Sequence, residues 1–128
     1  MQTLTIPYKL DGLNEYTGEN RMSRYEGGKC KHKNEKIIRI CIRNCRLKKI
    51  DGAYYVKFIW HEKTKRRDKD NVAFAKKFIL DALQKEAIVK GDGNKYLLGF
   101  EDHFIYGQQQ GVEVEIYEEN ECEDSFNI

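Results

Sequence analysis

The sequence predicts an α+β fold, an α/β sandwich in which a mixed sheet of about four strands carries two main helices in the order β-α-β-α-β-β. Four β-rich runs and two stretches with apolar residues at three-to-four spacing lead there, and no repeat or low-complexity linker interrupts them. A chain of 128 residues suits one domain with its own core.

The opening run, residues 2–8, alternates and is rich in β-formers, and Pro7 suits a strand end or an edge. Residues 9–21, polar with Gly and Asn, read as a loop. The first helix is expected over 33–47, where Ile37, Ile38, Cys41 and Cys45 share one face and Lys36, Arg39, Arg43 and Arg46 take the others. That span is where the helix is best supported; its N-terminal part, over 22–33, contains Gly27 and Gly28, which weaken helix. Asp51-Gly52 marks a turn, and AYYVKFIWHEK reads as a central strand.

Residues 71–89 give the most regular helical pattern, with Phe74, Ala75, Phe78, Ile79, Ala82 and Leu83 in one stripe and Asp70 or Asn71 as N-cap. Two β-rich runs follow, KYLLGFEDHFIY and GVEVEIYEE, joined by GQQQ. The second turns Val112, Val114 and Ile116 inward and Glu113 and Glu115 outward.

The net charge of +2 is a sum of unlike parts. Residues 117–128 hold five acids and no Lys or Arg, which leaves 23 basic against 16 acidic residues, or +7, in residues 1–116. The expected organisation is therefore a basic domain over 1–116 and an acidic C-terminal tail over 117–128. No stretch approaches about 18 apolar residues and the N-terminus is too polar for a signal segment, so a cytoplasmic protein is expected. Cys30, Cys41, Cys45 and Cys122 form no CxxC pair, and His32, His61 and His103 lie at unrelated spacings, so they read as thiols in a reducing compartment and not as a zinc site.

The stretch that carries chemistry is Lys65-Arg66-Arg67-Asp68-Lys69-Asp70-Asn71, between a strand and a helix start. Two carboxylates one residue apart can share a Mg²⁺ ion, which takes hard oxygen ligands and completes its shell with water and phosphate oxygens. Basic neighbours fit a phosphoryl-transfer site. Asp92 is the candidate for a third carboxylate, because the chain must return after the helix. The same Asp-x-Asp-Asn also reads as a cap within a solvated, charge-balanced turn. In a continuous helix Lys77 lies about 20° from Asp70 and Lys76 about 120° away, so Lys77 is the candidate phosphate contact; a solvent-facing lysine is the alternative.

These residues resemble the RusA-type crossover junction endodeoxyribonucleases, Mg²⁺-dependent Holliday junction resolvases often carried by phages and prophages. The resemblance spans roughly residues 4–116 and rests on LNEY, RRDKDN, AFAKKFILDAL, GDGNKY and VEVEI. It implies metal ligation by Asp68, Asp70 and Asp92, an essential lysine at Lys77, a basic position at Arg67, and a homodimer that sets two sites on opposed strands of a four-way junction. Where many relatives carry Asp-Asp this chain has Gly91-Asp92, with Asp102 as a replacement for the missing acid. The lysine also sits three residues later than in some relatives.

Expected contacts to branched DNA are Lys65, Arg66 and Arg67 with Lys63, and Lys29, Lys31, Arg39 and Arg43 with Lys33 and Arg46 on or near the first helix; part of this set is expected to be ordinary surface charge. Tyr16, Tyr25 and Trp60 are candidates to stack on unpaired bases, or to serve the core. The function expected is a Mg²⁺-dependent, structure-selective endodeoxyribonuclease acting in recombination and repair. A non-catalytic binder of branched DNA and a flap or fork nuclease are the competing readings.

Overall fold

Alternation along residues 54–62 buries Tyr54, Val56, Phe58, Trp60 and Glu62 on one side of a strand, and that side became the floor of the core. The structure, a computed structural model, describes residues 1–22 and 24–121. Its elements are β1 (Gln2–Ile6), α1 (Leu13–Met22), α2 (Arg24–Asn44), β2 (Tyr54–Glu62), α3 (Lys69–Ala73), α4 (Lys76–Lys85), β3 (Leu97–Tyr106) and β4 (Gly111–Glu118). The architecture is α+β: a four-stranded mixed sheet in the order β1-β4-β2-β3, with two main helices, α2 and α4.

β4 pairs antiparallel with both β1 and β2, whereas β2 and β3 are parallel, joined through α3 and α4. The GQQQ turn links β3 to β4 without pairing them, since β2 lies between. The chain crosses the end of β2 there and re-enters the sheet at Gly111, whose φ of +128° and backbone approach to Ile6 leave no room for a Cβ. Leu4, Ile6, Ile38, Ile42, Phe78, Ile79, Leu83, Val114 and Ile116 close the core between the sheet and the helices. As expected, Val112, Val114 and Ile116 point inward.

Three expectations need correction. The supposed loop over 9–21 contains α1. Its first turn is capped by Glu15, which reaches back to the Gly12 N–H at 3.2 Å, and by the side chain of Asn71, which accepts from the Asn14 N–H at 2.8 Å. Gly12 is required because a Cβ there would stand 2.5 Å from the Asn71 carbonyl oxygen. The first main helix includes the glycine-bearing N-terminal part, starting at Arg24 with its packing against α1 and α4 outweighing the low propensity of Gly27 and Gly28, and it stops at Asn44, three residues short of the expected 47. It ends with Arg46 in the left-handed region (φ 53°).

The third correction concerns the stripe over 71–89, which forms two helices. The Ala75 N–H bonds to Val72 O and the Lys77 N–H to Phe74 O, tight i to i−3 bonds that interrupt the α ladder. Its N-cap is Asp68, in extended conformation and without a side-chain cap bond, and not Asp70 or Asn71.

β4 carries the sheet through Glu118, the Glu119 N–H donates to Ala53 O, and Glu121 meets the Met1 amino group, so residues 117–121 belong to the folded body. Residues 122–128 of the expected tail, with Cys122, lie outside the described residues. Among the described residues no helix is long and apolar enough to cross a membrane.

Candidate metal and nucleic-acid site

The loop that follows β2 is held from below. Glu62, the last residue of β2, is buried, and Arg67 binds it through both guanidinium edges, Nε to Oε1 at 3.0 Å and Nη2 to Oε2 at 2.9 Å. Nη1 of Arg67 donates to Leu10 O at 3.1 Å, and Gln110 donates to Glu62 and to His61 O. Asn71 holds the start of α1, and Tyr16 packs its ring on Phe74 and Phe78 at centroid distances of 5.4 and 6.0 Å. Arg67, expected on the DNA, is thus an interior staple with a side chain 13% exposed. A buried carboxylate needs such a partner, because an unpaired charge there is costly.

What this staple lifts into solvent is the Asp-x-Asp pair. Asp68 and Asp70 are both exposed, and Asp70 Oδ1 accepts from the Asn71 N–H at 3.0 Å. Around them Lys63, Lys65, Arg66 and Lys69 are exposed and make no ion pair with a carboxylate among the described residues. Lys65 instead lies over the Tyr106 ring at 5.2 Å, and Lys69 over Phe104 and Tyr106 at 5.8 Å each.

Asp92 does not join this pair. The Tyr54 hydroxyl donates to Gly91 O at 2.8 Å and the Tyr54 N–H to Tyr96 O, which ties the 91–96 loop to the first residue of β2. Burial first, and the Asp92 charge second, push the Tyr54 phenol well above its usual range. Asp68 and Asp70 follow the last residue of β2, eight steps or about 26 Å along the strand. The physical reason is the parallel β2–β3 register, Tyr54 opposite Leu97 and Glu62 opposite Tyr106: a parallel crossover brings the chain back to the starting end of β2. Accordingly, no group of three or more His, Cys, Asp or Glu positioned to share a metal ion occurs among the described residues. The three-aspartate arrangement is therefore not formed, and what stands at this end of β2 is a pair of exposed carboxylates, the hard oxygen donors that Mg²⁺ takes.

The two lysines of α4 also differ from expectation. Lys77 is exposed, whereas Lys76 is half-buried, with Nζ 2.6 Å from Asp102 Oδ2 and 3.8 Å from the centre of the Phe100 ring. An angular offset counted at 100° per residue does not carry across the tight bonds at residues 72–77. Asp102 also accepts from the Trp60 indole at 2.9 Å, so the acid named as a replacement is spent on a Trp60–Asp102–Lys76 chain. Trp60, 3% exposed and stacked on Phe58, and Tyr16 are core aromatics; Tyr25 is 70% exposed, with Lys29 over its ring at 4.8 Å.

Four of the remaining expected DNA contacts, Lys31, Lys33, Arg39 and Arg43, are engaged by carboxylates within the protein, whereas Lys29 and Arg46 are exposed. Arg39 and Arg43 both grip Glu86, Arg43 through two hydrogen bonds of 2.8 and 3.0 Å. These bonds hold the Glu86 carboxyl down at about 2. Lys31 meets Asp81 and Glu35, and Lys33 meets Asp11 at 2.8 Å. Burial alone would raise the Asp11 carboxyl, but hydrogen bonds from Lys33, Asn34 and Cys30 outweigh it and hold it below the usual carboxylate range.

The reading from sequence missed Lys69 and the aromatics Phe100, Phe104 and Tyr106. The signal was present, since these rings alternate along one face of a β run. No family model matches this chain, and no curated protein matches its sequence.

Proposed function

We propose that this protein is a Mg²⁺-dependent, structure-selective endodeoxyribonuclease acting on branched DNA, in the first place four-way junctions in recombination and repair. The observation that carries the reading is the exposed Asp68-x-Asp70 pair, fixed on a rigid staple and ringed by cations without carboxylate partners. The resemblance to RusA-type resolvases in the same residues supports it.

In this reading Asp68 and Asp70 hold the cation, and Lys63, Lys65, Arg66 and Lys69 take the phosphodiester backbone of the junction arms without regard to sequence. Mg²⁺, when bound, supplies charge stabilisation on the phosphate and an acidified water. Arg67, Glu62 and Asn71 are positioning residues that fix the loop. A homodimer, as the resemblance implies, presents two such sites to opposed strands.

The test is cleavage of a synthetic four-way junction in Mg²⁺ by wild type and by Asp70→Asn. Wild type is expected to cut and the variant to lose cutting while binding is retained. An intact junction with wild type, or equal cutting by the variant, overturns the reading. One observation favours a second reading, a non-catalytic binder of branched DNA: Asp92 stands at the opposite end of β2. Junction binding by wild type with no cutting in either Mg²⁺ or Mn²⁺ selects it.

A further inference from the structure

β3 is an edge strand, and the face it turns towards α3 and α4 carries Phe100, Asp102, Phe104 and Tyr106 in strict alternation. Each ring meets a lysine from α4, α3 or the loop before it: Lys76 at Phe100, Lys69 at Phe104 and Tyr106, Lys65 at Tyr106. Phe100 keeps 47% of its surface exposed, although it touches Phe58 edge-on at 6.4 Å. Leu98, on the same face, is 48% exposed, so this face gathers apolar surface that a sheet edge normally covers or charges.

From this arrangement we infer that the β3 face is a binding platform for an unpaired DNA strand, its bases on the exposed Phe100 and on Phe104 and Tyr106, from whose rings Lys65 and Lys69 swing to its backbone. The inference rests on the nuclease reading for its biological sense, since the platform leads to α3, where Asp70 lies, but its chemistry is separable. Rings two residues apart on one strand face are about 7 Å apart, and a base can stack on an aromatic ring whatever its identity. The charge complements a polyanion, because neither Lys65 nor Lys69 forms an ion pair with a carboxylate among the described residues. Asp102, the one acid in the row, is covered by Lys76 and Trp60. A duplex keeps its base faces stacked, so the platform distinguishes an unpaired strand from duplex DNA.

The experiment is fluorescence anisotropy in EDTA with the full chain, a labelled oligodeoxythymidylate of about 12 nucleotides and a duplex of equal length. Wild type is expected to prefer the single strand, and Phe100→Ala to weaken that binding about tenfold while leaving duplex binding unchanged. Tyr106→Leu, which keeps apolar volume, is expected to weaken single-strand binding likewise, and thermal melting checks that both variants fold. Equal affinity of wild type for the two probes, or no loss in either folded variant, overturns the platform. Single-strand preference together with an uncut junction in Mg²⁺ supports the platform and removes the nuclease reading. A cut junction with unaltered single-strand binding in the variants does the reverse.

Discussion

The protein has two basic regions that look alike in sequence and differ in structure. Along α2, Lys31, Lys33, Arg39 and Arg43 are matched by Asp11, Glu35, Asp81 and Glu86. In the loop after β2, Lys63, Lys65, Arg66 and Lys69 have no carboxylate partner among the described residues, and Arg67 alone turns inward to Glu62. A cation's availability to a polyanion depends on the acids that the fold sets beside it, and Asp11, Asp81 and Glu86 come from outside α2. Arg39 and Arg43 spend their charge on Glu86 at the end of α4, whereas the cations after β2 offer theirs to solvent.

The largest effect is expected where a loop cation was buried. Arg67→Ala leaves Glu62 buried without its bidentate partner and is expected to cost about 3 kcal/mol in urea unfolding. A loss below about 1 kcal/mol would show that the staple does not hold the loop.

The comparison itself is broken or sharpened by salt titration of duplex DNA binding. Lys65→Gln with Lys69→Gln is expected to flatten the slope of log affinity against log salt by about 2, while Arg39→Gln with Arg43→Gln leaves it nearly unchanged. Equal flattening by both pairs would mean that the helix-layer arginines leave Glu86 for DNA.

Glu86 ties α4 to α2 and carries a pH signature. Its carboxyl is held at about 2 by Arg43 and Arg39, against an ordinary 4.5, so its contribution is fully present above about pH 4.5 and disappears as the pH falls towards 2. Glu86→Gln is expected to lower stability by about 1 kcal/mol at neutral pH and to converge with wild type near pH 2 in thermal melts. A constant difference across that range would remove the ionic explanation.

The smallest effect lies beside it. Ala87 ends α4 at a φ of 57°, where the Ile88 N–H closes back on Leu83 O at 2.9 Å. Ala87→Gly is expected to gain about 0.5 kcal/mol, measurable as a small rise in Tm, because glycine occupies that region without a Cβ penalty.

Much of the fold was legible because burial follows period. Val112, Val114 and Ile116, and the Phe78, Ile79, Ala82 and Leu83 stripe, declared their inward faces by spacing alone. α1 was not legible: its cap comes partly from Asn71, 57 residues away, and its helix is polar enough to read as loop. The Phe74–Ala75 break was also hidden, since it costs the apolar stripe nothing. At the candidate site, Lys65 and Arg66 are exposed in the loop after β2 and Asp68 and Asp70 at the start of α3, between a strand and a helix as their sequence neighbours imply.

By itself, then, the sequence determined the four strands, the two main helices and the single Asp-x-Asp with its basic flank, because hydrophobic period and local charge are properties of neighbouring residues. The tertiary structure alone decided that Asp92 stands at the other end of β2, that Lys76 and not Lys77 turns inward, and that Arg67 is buried while Lys65 and Lys69 lie over β3. The first outcome follows from strand register, since a parallel crossover returns the chain to the starting end of β2, and the others from which carboxylate or ring the fold sets beside which cation.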